Sequence, residues 1–487
     1  MNEDSILIGA GEIPVRLPLR YANRHGLVAG ATGTGKTITV QGLAESFSTA
    51  GVPVFVADVK GDLAGLAMPG TDHPRIAERW GHIGVSQPPF AAVPVTLWDV
   101  YGKGGIPLRL SISELGPQML SRMLELNETQ EAVLSLVFQF ADDEGLLLLD
   151  MNDLRTTLVH LDEHARELDT RYAAFSRPSV AAIQRRLLLL ENAGATGFFT
   201  EPAVQLADLM RTTSNGQGIV NLLDARQLIN QPRLYTSFLL WLMSELFEQL
   251  PEVGDPERPR IVFFFDEAHL LFDGAPKALL QRIEQVVRLI RSKGVGIYFI
   301  TQSPGDLPDV VLAQLGNRIQ HALRAYTPSE QKAVRVAAQS FRANPSFETA
   351  QVISQLGVGE ALVSVLEERG SPSMVQRTLI RPPNSRMGPL EDQERQALIS
   401  ADALFTRYRT SHDPVSAHEI LQQRAQREHA EAAEAASEKK SPAREPTRRS
   451  TRESPVEALV KSVARSVGSG LGRSIVRGVL GSILRGR

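Results

Sequence analysis

The most informative part of this 487-residue chain is the stretch Gly30-Ala31-Thr32-Gly33-Thr34-Gly35-Lys36-Thr37. It satisfies the pattern G-x-x-x-x-G-K-[ST], known as Walker A, in which a glycine-rich loop curls its backbone N–H groups around phosphate oxygens. The apolar run His25–Gly30 precedes the loop and the helical pattern Thr37–Thr49 follows it. A chance glycine-rich turn is the alternative, but few accidental matches to the pattern would fall between a strand and a helix.

The loop residues have distinct predicted roles. All eight positions from Gly30 to Thr37 are predicted to bind the nucleotide. Lys36 is expected to reach β- and γ-phosphate oxygens, and Thr37 to offer its hydroxyl to Mg²⁺. The predicted cofactors are therefore ATP and Mg²⁺.

On the C-terminal side of the loop, short apolar runs with polar ends alternate with helical patterns. The predicted strands are His25–Gly30, Val52–Asp58, Gly218–Asp224, Arg260–Asp266 and Gly294–Thr301, and the main helices between them are Thr37–Thr49, Pro232–Gln249 and Pro276–Lys293. Buried strands alternating with helices of three or more turns indicate a mostly parallel sheet covered on both faces. The sequence therefore predicts an α/β fold.

The strand Ile261–Phe265 ends in two adjacent acids, as Walker B strands do. Asp266 is predicted to hold the Mg²⁺ shell, and Glu267 to orient and polarise the attacking water. Taken alone, a strand followed by Asp-Glu is common surface chemistry. Its combination with the glycine-rich loop favours the catalytic interpretation.

Two further strand ends carry polar residues. Gln302 follows strand Gly296–Thr301 and is predicted to contact the γ-phosphate or the water, because carboxyl ends of parallel strands face the ligand crevice. Asp58-Val59-Lys60-Gly61-Asp62 is expected at the same edge, near the metal shell or on a loop that responds to nucleotide. An ordinary turn is the alternative for each.

Several cations are candidates for an arginine finger, a charge supplied by a neighbouring subunit to the transition state. Arg318 and Arg324 flank the predicted strand Ile319–Leu323, and both are predicted catalytic residues. Arg291 and Lys293 are weaker candidates, and a solvated or salt-bridged cation is the alternative for all four. His269 has no partner at zinc spacing, so no structural metal is expected.

Composition excludes several protein classes. The chain has no cysteine, which excludes disulfides, iron–sulfur clusters and thiol nucleophiles. No apolar run approaches the ~18–20 residues of a membrane span, so no integral membrane segment is expected. The start, Met1-Asn2-Glu3-Asp4, lacks the plan of a signal peptide, and we therefore expect a cytoplasmic protein.

Charge is distributed unevenly along the chain. Residues 425–487 hold 13 Lys and Arg against 7 Asp and Glu, whereas residues 1–424 hold 39 against 48. An acidic body argues against broad nucleic-acid coating of its surface, although a pore or groove could be locally basic. The basic tail fits phosphates, anionic lipids or acidic partners equally, and a helix that packs between subunits is its simplest alternative.

Five segments are predicted along the chain. Residues 1–106 form the first part of the core with the glycine-rich loop, and 107–213 form an all-helical insertion. Residues 214–422 complete the core and include a hairpin of strands Glu360–Glu367 and Ser373–Ile380. Residues 423–455 are too poor in apolar residues for a core and are expected to be a disordered linker before a basic amphipathic tail at 456–487.

Taken together, these motifs resemble those of the HerA/FtsK superfamily of RecA-like motor ATPases. The motifs are Gly30–Thr37, Phe263–His269 and Arg291–Ile297 leading into Thr301–Pro304. The stretch Ala57–Leu66, the helical insertion and the basic C-terminus resemble the YjgR-like branch of HerA-like ATPases. The resemblance implies a RecA-like fold, a ring that is usually hexameric, and ATP bound between neighbouring subunits. It also implies the roles given above for Lys36, Thr37, Asp266, Glu267 and Gln302.

The expected function is that of an ATP-hydrolysing, helicase-like motor that acts on double-stranded DNA or with a DNA-processing partner. The region ahead of Gly30 is too short for the β-barrel domain typical of HerA itself, and no FtsK-type winged-helix or membrane module is evident. One alternative is an ATPase that remodels a protein partner bound through the helical insertion or the tail. Another is a nucleotide-switched assembly at a membrane surface.

Overall fold

The computed structural model describes residues 4–165, 177–192, 194, 197–273 and 277–438. The described residues form two compact units. The first comprises the residues up to Leu108 together with Val204–Arg409, and the second comprises Arg109–Ala203 together with the residues from Thr410 onward.

The first unit is built on one mixed sheet. Its strands are β1 (Ser5–Ala10), β2 (Pro14–Pro18), β3 (Gly26–Ala29), β4 (Val54–Asp58), β5 (Val95–Asp99), β6 (Ile106–Pro107), β7 (Val220–Asp224), β8 (Ile261–Phe265), β9 (Val295–Thr301), β10 (Asn317–Gln320), β11 (Glu360–Ser364) and β12 (Gln376–Ile380). Their order across the sheet is β2-β1-β12-β11-β10-β3-β9-β8-β4-β7-β5-β6.

From β10 to β6 every neighbouring pair of strands is parallel. Strands β3, β4, β8 and β9 are buried along their whole length, as expected for strands covered on both faces. The predicted parallel α/β sheet is therefore confirmed, with each of the five predicted strands found within one or two residues of its expected bounds.

The helices, in chain order, are α1 (Lys36–Thr49), α2 (Pro74–Ile83), α3 (Ile112–Met123), α4 (Glu128–Asp143), α5 (Met151–Glu163), α6 (Arg177–Asn192), α7 (Leu206–Leu209), α8 (Pro232–Gln249), α9 (Lys277–Ile290), α10 (Asp309–Leu312), α11 (Pro328–Gln339), α12 (Thr349–Gln355), α13 (Asp392–Ala401), α14 (Phe405–Tyr408) and α15 (Ala417–Glu438). The predicted helices α1, α8 and α9 all occur. None of the helices that the structure describes combines the length and the apolar character required to cross a membrane.

The register of the parallel strands places the predicted site residues on one edge of the sheet. Ala29 of β3 pairs with Thr301 of β9, and Phe265 of β8 pairs with Ala57 of β4. The residues that follow these strands therefore emerge side by side at the carboxyl edge, where open parallel sheets bind ligands.

The antiparallel side of the sheet contains the predicted hairpin. Strands β11 and β12 pair antiparallel, with Glu360 opposite Leu379, but both are shorter than predicted. The predicted strand Ile319–Leu323 instead begins at Asn317, whose buried side-chain amide donates to the carbonyls of Tyr21 and His25. The strands β1, β2, β5 and β6 were not predicted.

The second unit is helical, and its first part, Arg109–Ala203, lies within the predicted insertion. Helices α3 to α6 all belong to this part, and the first of them, α3, begins at Ile112. A capping box joins Ser111 and Glu114, and Gly116 then breaks the helix with φ 73°. Pro117, which lacks an N–H, therefore starts a new helical stretch.

The region after residue 410 differs from the predicted segment boundaries. Helix α15 runs from Ala417 to Glu438 within the helical unit, across the predicted boundary between core and linker at 422/423. It is fixed to α5 because Ser416 and the backbone N–H of His418 both donate to the buried carboxylate of Asp153, over 2.5 and 2.8 Å. The remainder of the predicted linker and the predicted tail at 456–487 lie outside the described residues.

Candidate active site

The glycine-rich loop joins β3 to α1 at the centre of the sheet edge. Gly35 has φ 113°, and a Cβ at this position would lie 3.2 Å from Cα of Gly359. Two segments that are distant in sequence hold the loop. Ala31 N–H donates to the Ala322 carbonyl over 2.9 Å, and Gly359 N–H donates to the Thr34 carbonyl over 3.0 Å. Only glycine fits this position, as a closely curled loop requires.

Lys36 begins α1 and is buried. Its ammonium group donates to the carbonyls of Gly30 and Ala31, so it lies over the loop that precedes it. Burial, and secondarily the charge of Lys60, lowers the pKa of Lys36, while Asp266 and Glu267 oppose this shift. The lysine and both predicted Walker B acids thus share one electrostatic environment.

Asp266 follows β8 directly. Burial, and secondarily the charge of Glu267, raises the pKa of Asp266 to about 6. Its Oδ1 accepts the Glu267 N–H over 2.9 Å, and its own backbone carbonyl accepts the Tyr235 hydroxyl over 2.9 Å. A buried carboxylate of this kind is stabilised by a nearby cation, which would lower its pKa again.

Glu267 has two unusual features. Its backbone is left-handed, with φ 49° and ψ 47°, which is uncommon for a residue with a side chain. Its Oε2 is buried and accepts no hydrogen bond from any described residue, and His269 Nδ1 lies 3.4 Å away. Strained backbone and unsatisfied polar atoms concentrate at functional sites.

Asp58 ends β4 beside Asp266, where the sequence predicts it. Both of its carboxylate oxygens are used by the following turn, because they accept the N–H groups of Gly61 (2.8 Å) and Leu63 (3.1 Å). Burial is the main cause that raises the pKa of Asp58 to about 6. These contacts favour the turn-forming role of Asp58 over direct metal contact.

The same turn carries Lys60, which the sequence places at this edge as part of Asp58–Asp62 but to which it gives no individual role. Lys60 is exposed, and its charge lowers the pKa of Asp266 by more than that of Lys36 does. The signal was present in the sequence, since a lysine two residues after a strand-end aspartate lies at the same edge as the loop.

Gln302 follows β9, which lies between the loop strand β3 and the acid-bearing strand β8. Its side chain is exposed at the carboxyl edge, as predicted. The turn beyond it is fixed because Asp306 accepts the Thr301 hydroxyl over 2.6 Å and the Ser303 N–H over 2.8 Å. Gln302 is therefore held between the loop and the acids.

The cations differ in their contacts. Arg318 is part of β10, and its guanidinium donates to the backbone carbonyls of Leu315, Ser340 and Leu312 over 2.7 to 3.1 Å. Arg324 is exposed on the segment that follows β10. Arg318 thus serves local structure, whereas the side chain of Arg324 is accessible from outside.

The two weaker candidates also differ. Arg291 is exposed, whereas Lys293 lies 5.3 Å from the centre of the Phe247 ring in a cation–π contact.

The donor set fits a Mg²⁺ ion that is shared with a nucleotide. No described residues form a group of three or more His, Cys, Asp or Glu side chains able to hold a metal by themselves. Mg²⁺ usually takes one or two protein oxygens and completes its shell with phosphates and water. The hydroxyl of Thr37 and the buried carboxylate of Asp266 are oxygen donors of that type.

Comparisons with known proteins agree with this architecture. The family model described as "Helicase HerA-like C-terminal" matches residues 4–487. The "Probable helicase MJECL08" of Methanocaldococcus jannaschii is 30% identical over 125 residues, which are 25% of this chain and 22% of that protein. The chain thus matches about a fifth of the length of this curated relative.

Similar solved structures include the plasmid coupling protein TrwB in complex with the non-hydrolysable ATP analogue ADPNP. It has a TM-score of 0.51 and 16% identity, over 79% of this chain and 92% of that one. TrwB in complex with ADP and Mg²⁺ gives 0.50 and 16%, over 77% and 92%. VirB4 of Thermoanaerobacter pseudethanolicus gives 0.51 and 15%, over 78% and 97%. These similarities confirm the predicted RecA-like P-loop fold.

Proposed function

Since the chain belongs to the helicase HerA-like C-terminal family, we propose that it is a Mg²⁺-dependent ATPase that hydrolyses ATP at the carboxyl edge of its sheet. One observation carries the proposal. The parallel register of β3, β9 and β8 brings the glycine-rich loop with Lys36 and the acid pair Asp266 and Glu267 to the same edge of the sheet, although they are more than two hundred residues apart in sequence.

Each residue has a distinct proposed role. Backbone N–H groups of the glycine-rich loop and the Lys36 ammonium bind the phosphates, in exchange for the carbonyl contacts that Lys36 now makes. Thr37 and Asp266 would hold Mg²⁺, which would neutralise charge on the phosphates. The TrwB structures with ADPNP and with ADP and Mg²⁺ support nucleotide binding on this fold.

Glu267 is the proposed general base. Its Oε2 accepts no hydrogen bond from a described residue and could accept one from the attacking water, with His269 Nδ1 3.4 Å away. The left-handed backbone holds the side chain one residue beyond the proposed metal ligand. Gln302, at the end of the intervening strand β9, is proposed to contact the γ-phosphate or the same water.

We further propose that the protein works as a ring, with a hexamer as the expected form. Arg324 is the proposed finger that would complete the site of a neighbouring subunit, because it is exposed after β10, whereas three backbone carbonyls bind the Arg318 guanidinium. The proposed substrate is double-stranded DNA, or a partner that processes DNA, in keeping with the family and with the helicase relative.

A protein-remodelling ATPase is the second candidate. It is favoured by the helical unit, where Leu188 and Leu189 of α6 are 53% and 60% exposed. Adjacent exposed leucines on a helix are typical of a surface that binds protein.

The test is the rate of phosphate release from Mg-ATP, measured alone and with double-stranded DNA, single-stranded DNA or RNA, together with the particle mass. We expect hydrolysis by the wild type, its loss in Lys36→Ala and its retention in Lys332→Ala, which removes an exposed lysine of α11. Stimulation by double-stranded DNA that weakens with salt would support the DNA motor. Undiminished turnover in Lys36→Ala would refute the ATPase assignment.

A further inference from the structure

His321 is a fully buried histidine directly beneath the glycine-rich loop. It follows β10, and its backbone N–H donates to the Ala29 carbonyl over 2.7 Å. A Cβ on Gly30 would lie 2.5 Å from Cβ of His321, and a Cβ on Gly35 would lie 3.6 Å from its Cε1. The imidazole therefore packs under both ends of the loop.

The hydrogen bonds of the ring define its tautomer. Nδ1 lies 2.9 Å from the backbone carbonyl of Glu360, which only accepts, so Nδ1 carries the proton. Nε2 then accepts the hydroxyl of Thr39, 2.9 Å away on the first turn of α1. Burial, opposed by the Glu360 hydrogen bond, lowers the pKa of His321 to about 4, so the ring is neutral near pH 7.

The ring thus connects three separate parts of the chain. Thr39 belongs to the helix that carries Lys36, and Glu360 begins β11 of the C-terminal hairpin. The residue before Glu360 reinforces the link, because Gly359 N–H donates to the Thr34 carbonyl of the loop over 3.0 Å. One side chain therefore fixes the loop and the first turn of α1 against the hairpin.

We propose that His321 is a positioning residue for nucleotide binding, which sets the curvature of the phosphate loop through its hydrogen bonds to Thr39 and Glu360. The inference rests on the proposed function, since it assumes that this loop binds phosphates. His321 itself lies behind the loop and touches no reacting atom. Its effect should therefore appear mainly in nucleotide affinity, whereas loss of Glu267 should appear in the rate.

Two kinds of substitution test the role. Thr39→Val replaces the hydroxyl bonded to Nε2 by a methyl group of the same size, and His321→Leu removes both ring contacts. His321→Gln keeps one donor and one acceptor and should recover part of the affinity. The matched control is Thr49→Val, which removes the hydroxyl of an exposed threonine on the same helix that bonds only its own helix at Glu45.

The measurements are the Kd for Mg-ADP by calorimetry, and kcat and KM for Mg-ATP, on variants shown by thermal unfolding to be folded. Loss of a buried hydrogen bond that orders the loop should weaken Mg-ADP binding by about 5- to 20-fold in Thr39→Val and more in His321→Leu, with kcat changed by less than about 3-fold. Thr49→Val should match the wild type. A variant that only loosened the structure would lower the unfolding temperature, but it would not weaken Mg-ADP binding while leaving kcat nearly unchanged.

Wild-type affinity in folded Thr39→Val would overturn the inference, and that variant decides the matter if His321→Leu does not fold. The proposed function fails separately, because it requires that the wild type bind Mg-ADP and that Lys36→Ala lose it. If the wild type binds no nucleotide, both proposals are wrong. If Lys36→Ala behaves as proposed but the Thr39 and His321 variants bind normally, only the positioning role is wrong.

Discussion

The left-handed backbone of Glu267 allows its catalytic role to be separated from its effect on stability. At φ 49° and ψ 47°, a residue with a side chain costs roughly 1–2 kcal/mol relative to right-handed backbone. Its buried Oε2 accepts no hydrogen bond from the described residues, which also opposes folding. We infer that Glu267 is placed for chemistry at the expense of stability.

Glu267→Gly should therefore stabilise the nucleotide-free protein. Glycine removes the conformational cost but loses about 0.5–1 kcal/mol of its own through chain entropy, so the net gain in unfolding free energy should be roughly 0.5–1 kcal/mol. Glu267→Gln keeps the backbone cost and should not gain in this way. Both substitutions should slow hydrolysis at least ~10²-fold, because each removes the proposed general base.

The assay compares urea unfolding of the nucleotide-free proteins with phosphate release at saturating Mg-ATP. The control is Glu78→Gly on α2, an exposed helical glutamate, which should instead lose about 1 kcal/mol. The reasoning is refuted if Glu267→Gly is less stable than Glu267→Gln, since the strain would then be absent. Turnover near the wild-type rate in Glu267→Gln would refute the assignment of the base.

Two further predictions concern charge. Burial raises the pKa of Asp58 and Asp266 from their ordinary values to about 6, so the folded state binds their protons more tightly. Their contribution to the free energy of unfolding is then fully present below about pH 4 and is lost as the pH rises through 6. Thermal unfolding should therefore show a smaller loss of stability between these pH values in Asp266→Asn than in the wild type. The same dependence of stability on pH in both proteins would contradict a buried charge at Asp266. Arg324→Ala should leave Mg-ADP affinity nearly intact while lowering kcat, and mixing it with Lys36→Ala should restore some activity at mixed interfaces. No recovery on mixing, or full activity of a monomer in native mass spectrometry, would exclude a finger supplied by a neighbour.

The core of the fold was predictable because its signals are local. Strands such as Ile261–Phe265 are buried on both faces and read as continuous apolar runs, and Gly30–Thr37 marks the junction of strand and helix. Parallel pairing then brings the carboxyl ends of these strands together. The placement of Asp266, Glu267 and Gln302 at one edge followed from that rule.

The outer strands were not predictable for a different reason. Strand β2 begins and ends with proline, and β6 has only two residues, so neither has the pattern of a typical strand. The other two outer strands, β1 and β5, join the sheet through partners that are distant in sequence, namely β12 and β7. Propensity within a short window does not contain that information.

Contacts made by single side chains could not be predicted from the sequence either. The apolar strand pattern around Arg318 is consistent with a finger or with a structural cation, and only the three carbonyls around its guanidinium distinguish them. Nothing in the sequence marks His321, because a single histidine after a strand belongs to no known motif. Its role depends on Thr39 and Glu360, which the fold alone brings together.

The position of bound Mg-ADP in an experimental structure of this protein would test the central claim most directly. We predict that the β-phosphate lies within the loop Gly30–Thr37, with Mg²⁺ between the Thr37 hydroxyl and the Asp266 carboxylate. Phosphates held chiefly by residues of the helical unit, or by any site away from the carboxyl edge of the sheet, would contradict the account.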